Sequence, residues 1–306
     1  MNNMTWRFLV LISLVIGGFL VKRPLPSCAE SISQSSRQIT PEILRAWDYF
    51  RDGVDKQISG DLYGAIADLT EAIRIKKDYI YAYFARGSLK EQLGDKKGAI
   101  ADYTAAIQIK PQNAQDYLDR GDGKSFYLRD KKGAITDYTT AIQLKPDHAE
   151  AYHKRGRVKN SLGDLYGAIA DYTEAIRIQP NNTAVYFARA TAQFLLGNKN
   201  AAINDFTEVI RIKPDSLSDY IYAYYNRGFV RSKLGDTYGA IADYTEAIRF
   251  KPDHADAYYD RGVAKIELGD KKGALADLQQ AAQLFRVQGY TERHKETLTL
   301  IETGRF

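Results

Sequence analysis

Cysteine is almost missing from this 306-residue chain: Cys28 is the only one, and it precedes the first patterned segment. A disulfide framework, a thiolate metal site and a cysteine nucleophile are therefore excluded from the body of the chain. Histidine is nearly as sparse. His148, His153, His254 and His294 lack metal-ligand spacing, and two of them sit in equivalent Pro-Asp-His linkers, so they read as solvated linker or surface side chains. A Gly-rich phosphate loop, a His-Glu-x-x-His pair and a nucleophile beside a unique base are all lacking. These absences point away from an enzyme and give no catalytic residue, metal or cofactor to expect.

Charge of one sign is lacking too. Lys and Arg number 43 against 38 Asp and Glu, a net charge of +5. Arg7, Lys22 and Arg23 belong to an acid-free N-terminal stretch, and without them 40 bases face 38 acids, a net +2. Such a balance provides no electrostatic footprint for a phosphate backbone, so no nucleic-acid partner is expected.

The one long apolar run is Phe8 to Val21, 14 residues. That is short of the ~20 needed to span a bilayer. With Arg7 before it and the small-residue stretch Ser27-Cys28-Ala29 after it, residues 1–29 read as an export signal, which predicts a periplasmic or extracellular destination. Two alternatives stay open, both of which tether the chain to a membrane. Residues 8–21 can remain as an anchor, or Cys28 can be lipidated within Leu25-Pro26-Ser27-Cys28, a pattern that Pro26 fits badly. Residues 30–40 are Ser- and Gln-rich and read as a flexible linker.

What the chain has in abundance is self-similarity. Gly163 to Pro180, GDLYGAIADYTEAIRIQP, recurs in near copies that begin at Gly60, Gly94, Gly197, Gly235 and Gly269, with a further copy from Arg129 that lacks the glycine. A fixed period of 34 residues signals a stacked array in which each unit contacts its neighbours. Aligned, the copies give repeats at 46–79, 80–113, 114–148, 149–182, 183–216, 221–254 and 255–288, within an array that starts at the Thr40-Pro41 helix signal and spans 41–288. Each reads as two antiparallel amphipathic helices, A and B; in the fourth repeat Gly163-Asp164 makes the turn and Pro180 stops helix B. Residues 289–306 read as a polar capping helix. The third repeat should be weaker and bent, because Gly121 and Gly123 fall inside its helix A. Leu217 to Tyr220 should form a longer linker or an extended helix start.

In the fourth repeat the aromatic at position 4 is Tyr152, the small residues at 8 and 20 are Gly156 and Ala168, and Tyr172, Ala175 and Pro180 stand at 24, 27 and 32. This pattern resembles the tetratricopeptide repeat. The resemblance covers all seven units and implies an all-α, right-handed superhelical α-solenoid that binds proteins. It departs at positions 7 and 11, where Arg155 and Lys159 stand in place of the family's Leu and Tyr.

Arginine occupies position 7 in six repeats, as Arg86, Arg120, Arg155, Arg189, Arg227 and Arg261, on a stripe that should be buried. Aspartate occupies position 23, as Asp102, Asp137, Asp171, Asp205, Asp243 and Asp277, with Asp68 in the first repeat. In an antiparallel hairpin these positions lie at matching height, which predicts structural ion pairs within each repeat; pairing with the next repeat is the alternative.

In arrays of this family positions 2, 5, 9 and 12 of helix A line the inner surface. Here that stripe contains Trp47, Phe50, Tyr81, Phe84, His153, Arg157, Phe187, Phe194, Tyr222, Tyr225, Phe229 and Tyr259, which predicts an aromatic groove for an extended peptide or partner helix. The Lys and Asn clamp for acidic chaperone tails is missing. The expected function is a non-catalytic scaffold for a protein or peptide ligand, and the alternative is a helical-repeat RNA-binding protein.

Overall fold

The computed structural model describes residues 40–214 and 216–303; the export signal, the Cys28 alternative and almost all of the 30–40 linker lie outside them. Among the described residues the chain is an all-α helical-repeat solenoid of fifteen helices without a strand. These are α1 (Pro41–Ser59), α2 (Leu62–Ile75), α3 (Ile80–Gln92), α4 (Lys96–Gln108), α5 (Ala114–Phe126), α6 (Lys131–Leu144), α7 (Ala149–Ser161), α8 (Leu165–Ile178), α9 (Thr183–Leu195), α10 (Lys199–Ile212), α11 (Leu217–Ser232), α12 (Thr237–Phe250), α13 (Ala255–Glu267), α14 (Lys271–Val287) and α15 (Thr291–Glu302). None of them is long and apolar enough to cross a membrane.

The fourth repeat shows why the sequence folds this way. Gly163 ends α7 in the left-handed region at φ 85°, where a side chain would be strained. Asp164 then caps α8, its Oδ1 accepting from the Gly167 N–H at 2.9 Å. Gly156 lets the helices close: a Cβ there would lie 2.7 Å from Tyr172 Cε1 and 3.2 Å from the Ala168 carbonyl oxygen. The same carboxylate cap recurs at Asp61, Asp95, Asp236 and Asp270.

The described residues form two compact units: residues up to Gln112 with Asp122–Asp130, and Asn113–Gly121 with the residues from Lys131 on. In the first, Phe50, Leu69 and Ile73 pack with Ala82 and Leu89, joining one repeat to the next. In the second, Tyr138 and Ile142 pack with Ala151 and Val158, Tyr172 with Val185 and Ala192, and Phe206 with Val230. The core is thus strung from repeat to repeat rather than gathered in one place, as a stacked array requires.

Helix α5 contributes its first eight residues to the second unit and the remainder to the first. It runs helical through both glycines, and Arg129 takes over the turn at φ 54°. The extra residues before the sixth repeat are an extended helix start, α11, capped by Ser216.

Candidate partner-binding face

The arginine and aspartate columns form the frame on which the face is built. Arg155 donates from Nε and Nη2 to the two oxygens of Asp171, at 2.9 and 2.7 Å. Its third arm, Nη1, reaches Thr139 Oγ1 of the preceding repeat at 3.1 Å. Lys159 adds a second cation 2.9 Å from Asp171 Oδ2. The same fork joins Arg86 to Asp102, Arg120 to Asp137, Arg189 to Asp205, Arg227 to Asp243 and Arg261 to Asp277. Pairing is therefore within the repeat, while the threonine bond ties helix A to the repeat before it. In the first repeat position 7 is Asp52, and Asp68 pairs instead with Lys56 at 2.6 Å. A column of identical pairs specifies packing and offers no singular reactive group.

The aromatic stripe divides in two. Phe50, Phe84, His153 and Tyr225 are buried, at 2%, 0%, 7% and 5% exposure, and so belong to the core rather than to the inner wall. The physical reason lies across the hairpin, where a position-5 ring packs on the position-24 ring of its own helix B. Phe84 lies 6.0 Å from Tyr103, His153 6.0 Å from Tyr172 and Tyr225 5.8 Å from Tyr244. Phe50 instead packs on Tyr79 and Tyr81. Phe187 shares this geometry with Phe206 at 5.1 Å, yet remains half-buried.

Reachable positions remain in each unit. Trp47 and Tyr81 are half-buried in the first unit; in the second, Arg157 is exposed and Phe187, Phe194, Tyr222, Phe229 and Tyr259 are half-buried. Phe194 and Phe229, from adjacent A helices, meet edge-on with ring centroids 5.7 Å apart, and Lys233 Nζ lies 5.2 Å over the Phe229 ring. At the far end Arg293 from α15 lies over Tyr259 at 4.4 Å and bonds to Asp256 Oδ1 at 3.0 Å.

Two of the four histidines correct the expectation of solvated side chains. His153 is buried as above, and His254 is 6% exposed, stacked on Tyr225 at 4.8 Å. His254 Nδ1 accepts from the Ala257 N–H at 3.3 Å and so caps α13. Burial holds this imidazole neutral, its pKa pushed down to about 4, and burial lowers His148 in the equivalent linker as well. His294 Nδ1 lies 2.8 Å from the Ala282 carbonyl oxygen. Among the described residues no group of three His, Cys, Asp or Glu side chains is placed to hold a metal ion.

The most exposed aromatics escaped the sequence reading. Tyr63, Tyr166 and Tyr238 are 76%, 76% and 77% exposed, and all stand at position 18, in the first turn of helix B. The available signal is Leu-Tyr or Thr-Tyr after the turn aspartate in repeats one, four and six, where repeats two, three and seven have Lys-Lys.

Comparison with known proteins agrees with this architecture. A tetratricopeptide-repeat model matches residues 80–113, 183–216 and 255–287, and a TPR-repeat model matches 156–197 and 233–269. Among curated proteins there is no significant match. Among solved structures, that of MamA is similar at 25% identity and a TM-score of 0.52, covering 56% of this chain and 96% of MamA. A tetratricopeptide-repeat protein from Parabacteroides merdae is similar at 21% identity and a TM-score of 0.52, covering 83% and 99%. The C-terminal part of a TPR-containing protein from Cytophaga hutchinsonii reaches a TM-score of 0.58 at 18% identity, covering 77% and 95%. The last two establish likeness of fold alone.

Proposed function

We propose that this chain, which belongs to the tetratricopeptide-repeat family, is a non-catalytic scaffold holding a protein or peptide partner on the inner face of repeats four to seven. Interaction between proteins is the general role of this fold. The single observation that supports the inner face is the half-buried Phe194–Phe229 pair beside Lys233: Phe194 packs against the core of Ala190, Phe206 and Val230, yet both rings keep part of their surface exposed. Apolar rings left half-covered beside polar neighbours are the composition of a binding anchor. The RNA-binding alternative gains nothing from this face, where positions 2, 5, 9 and 12 of repeats four to seven carry a single Arg or Lys, Arg157.

Export is part of the same proposal and rests on residues 7–29 alone. A C-terminal reporter active only outside the cytoplasm tests it, and a silent reporter removes it. For the face itself, a photoreactive phenylalanine at position 229 should crosslink the partner, whereas one at exposed position 166 should not. Crosslinking from position 166 with none from 229 overturns the assignment.

A further inference from the structure

The inner face of the second unit carries unlike charge at its two ends. In the fourth repeat Arg157 is exposed and has no carboxylate partner among the described residues, while its neighbour Lys154 is already engaged by Glu150. In the seventh repeat Asp256 keeps 40% of its side chain exposed even though Arg293 bonds to Oδ1. Asp260, one turn further along α13, accepts from the Tyr225 hydroxyl at 2.7 Å. Between these ends positions 2, 5, 9 and 12 of repeats five and six carry no charged residue and present Phe194 and Phe229.

The geometry points to a partner of defined pattern: an extended peptide segment with an acidic side chain at one end for Arg157, an apolar or aromatic side chain at its centre for the Phe194–Phe229 pair, and a basic side chain at the other end for Asp256. This rests on the inner-face reading above and adds the chemistry of its ligand. Adjacent packed helices lie roughly 8–10 Å apart, so three steps from repeat four to repeat seven cover roughly 24–30 Å. An extended strand rises ~3.3 Å per residue, which makes the segment about eight or nine residues long. A segment of one charge sign would meet a like charge at one end, and such juxtaposition is disfavoured across an interface. The ring pair fixes register, because an aromatic or leucine side chain gains most where rings are already half-desolvated. Arg293 demonstrates the preference of the seventh-repeat end: it is a guanidinium lying over Tyr259 and Phe285 with Asp256 as its counter-ion.

The test uses the full chain and three fluorescein-labelled peptides with blocked ends: Glu-Ser-Gly-Leu-Ser-Phe-Ser-Gly-Lys, the same peptide with Glu at both ends, and the same with Lys at both ends. Fluorescence anisotropy should show the mixed peptide binding at least about fivefold more tightly than either control. Arg157→Glu should weaken the mixed peptide about tenfold or more and make the peptide with two lysines the tightest of the three. Equal affinity for all three peptides, or binding by none, overturns the inference. Binding that is lost in Phe229→Ala but unchanged in Arg157→Glu overturns the charge pattern while leaving the inner-face reading intact. Binding untouched by both substitutions removes the two together.

Discussion

Arg155 holds both oxygens of Asp171, and Lys159 shares one of them, so a single carboxylate on α8 joins two cations of α7. The group at the centre of this arrangement is the aspartate, since Asp171 is 5% exposed against 16% for Arg155. Removing it strands two cations, whereas removing the arginine still leaves the lysine in place. Asp171→Leu should therefore cost about 3–5 kcal/mol and Arg155→Leu distinctly less. The double variant should cost less than the two singles together, because it leaves neither a lone carboxylate nor a lone guanidinium behind. Urea unfolding of the four proteins measures this. Additive effects, or a larger loss for Arg155→Leu, contradict the arrangement.

Among the six arginine-paired aspartates, Asp205 is the one with the least support. Arg189 forks onto it as elsewhere, but position 11 is Gln193, and no second cation arrives. Burial accordingly raises the Asp205 pKa against the pull of Arg189. A carboxyl that is harder to ionise folded than unfolded favours the folded state when protonated, and that contribution is lost as pH rises through its folded pKa. Gln193→Lys should lower the Asp205 pKa and reduce this loss, at the expense of the Gln193 bond to Asn198. A carboxyl titration followed by NMR reads the shift directly, and an unchanged Asp205 titration rules out the missing cation as its cause.

His254 gives the opposite slope with pH. Its folded pKa of about 4 lies below the ordinary 6.5, so its contribution is complete above 6.5 and lost as pH falls towards 4. Protonation takes away the Nδ1 lone pair that caps α13 and places a charge among Tyr222, Tyr225, Lys251 and Asp253. The loss should be on the order of 3 kcal/mol across that window. His254→Asn retains a capping oxygen but does not titrate, so it should flatten the urea midpoint between pH 7 and pH 4.5. An equally steep acid dependence in the variant assigns the effect elsewhere.

The array, the turns and the ion pairs were legible because each is written several times in one register. Arg155 on a buried stripe implies a partner, and Asp171 at matching height supplies it. Depth was not legible. The spacing that places Phe84 and Phe194 on one stripe says nothing of what stands opposite, and Tyr103 opposite Phe84 draws that ring into the core. His254 likewise lies in a polar Pro-Asp-His linker, yet the ring of Tyr225 covers it. Single departures from the pattern are the least readable, since no second copy shows what they do.

Arg129 is one such departure. It stands at φ 54° where six other repeats have glycine at φ 77–89°. A side chain in the left-handed region costs roughly 1–2 kcal/mol, and glycine gives back part of that gain through its freedom in the unfolded chain. Arg129→Gly should therefore stabilise the protein by up to about 1 kcal/mol, seen as a higher urea midpoint. A lower midpoint shows that the arginine side chain contributes a contact worth more than the strain.

Gly123 is the other departure, and here two effects oppose. Replacing glycine by alanine inside a helix normally stabilises by about 1 kcal/mol. At this position, however, a Cβ would come within 2.0 Å of Phe84 Cε2 and 2.1 Å of Cζ. The ring has little room to retreat, because it stacks on Tyr127 at 5.5 Å and packs on Tyr103 at 6.0 Å, and it is 0% exposed. Overpacking a closed core typically costs 1–3 kcal/mol, so the clash should win and Gly123→Ala should lower stability by roughly 1–2 kcal/mol. Phe84→Leu removes the clashing edge of the ring. In that background Gly123→Ala should be neutral or stabilising, and the change of sign separates the ring contact from any intrinsic need for glycine. If Gly123→Ala stabilises the parent protein as well, helix propensity governs at this site and the glycine is not there to admit Phe84.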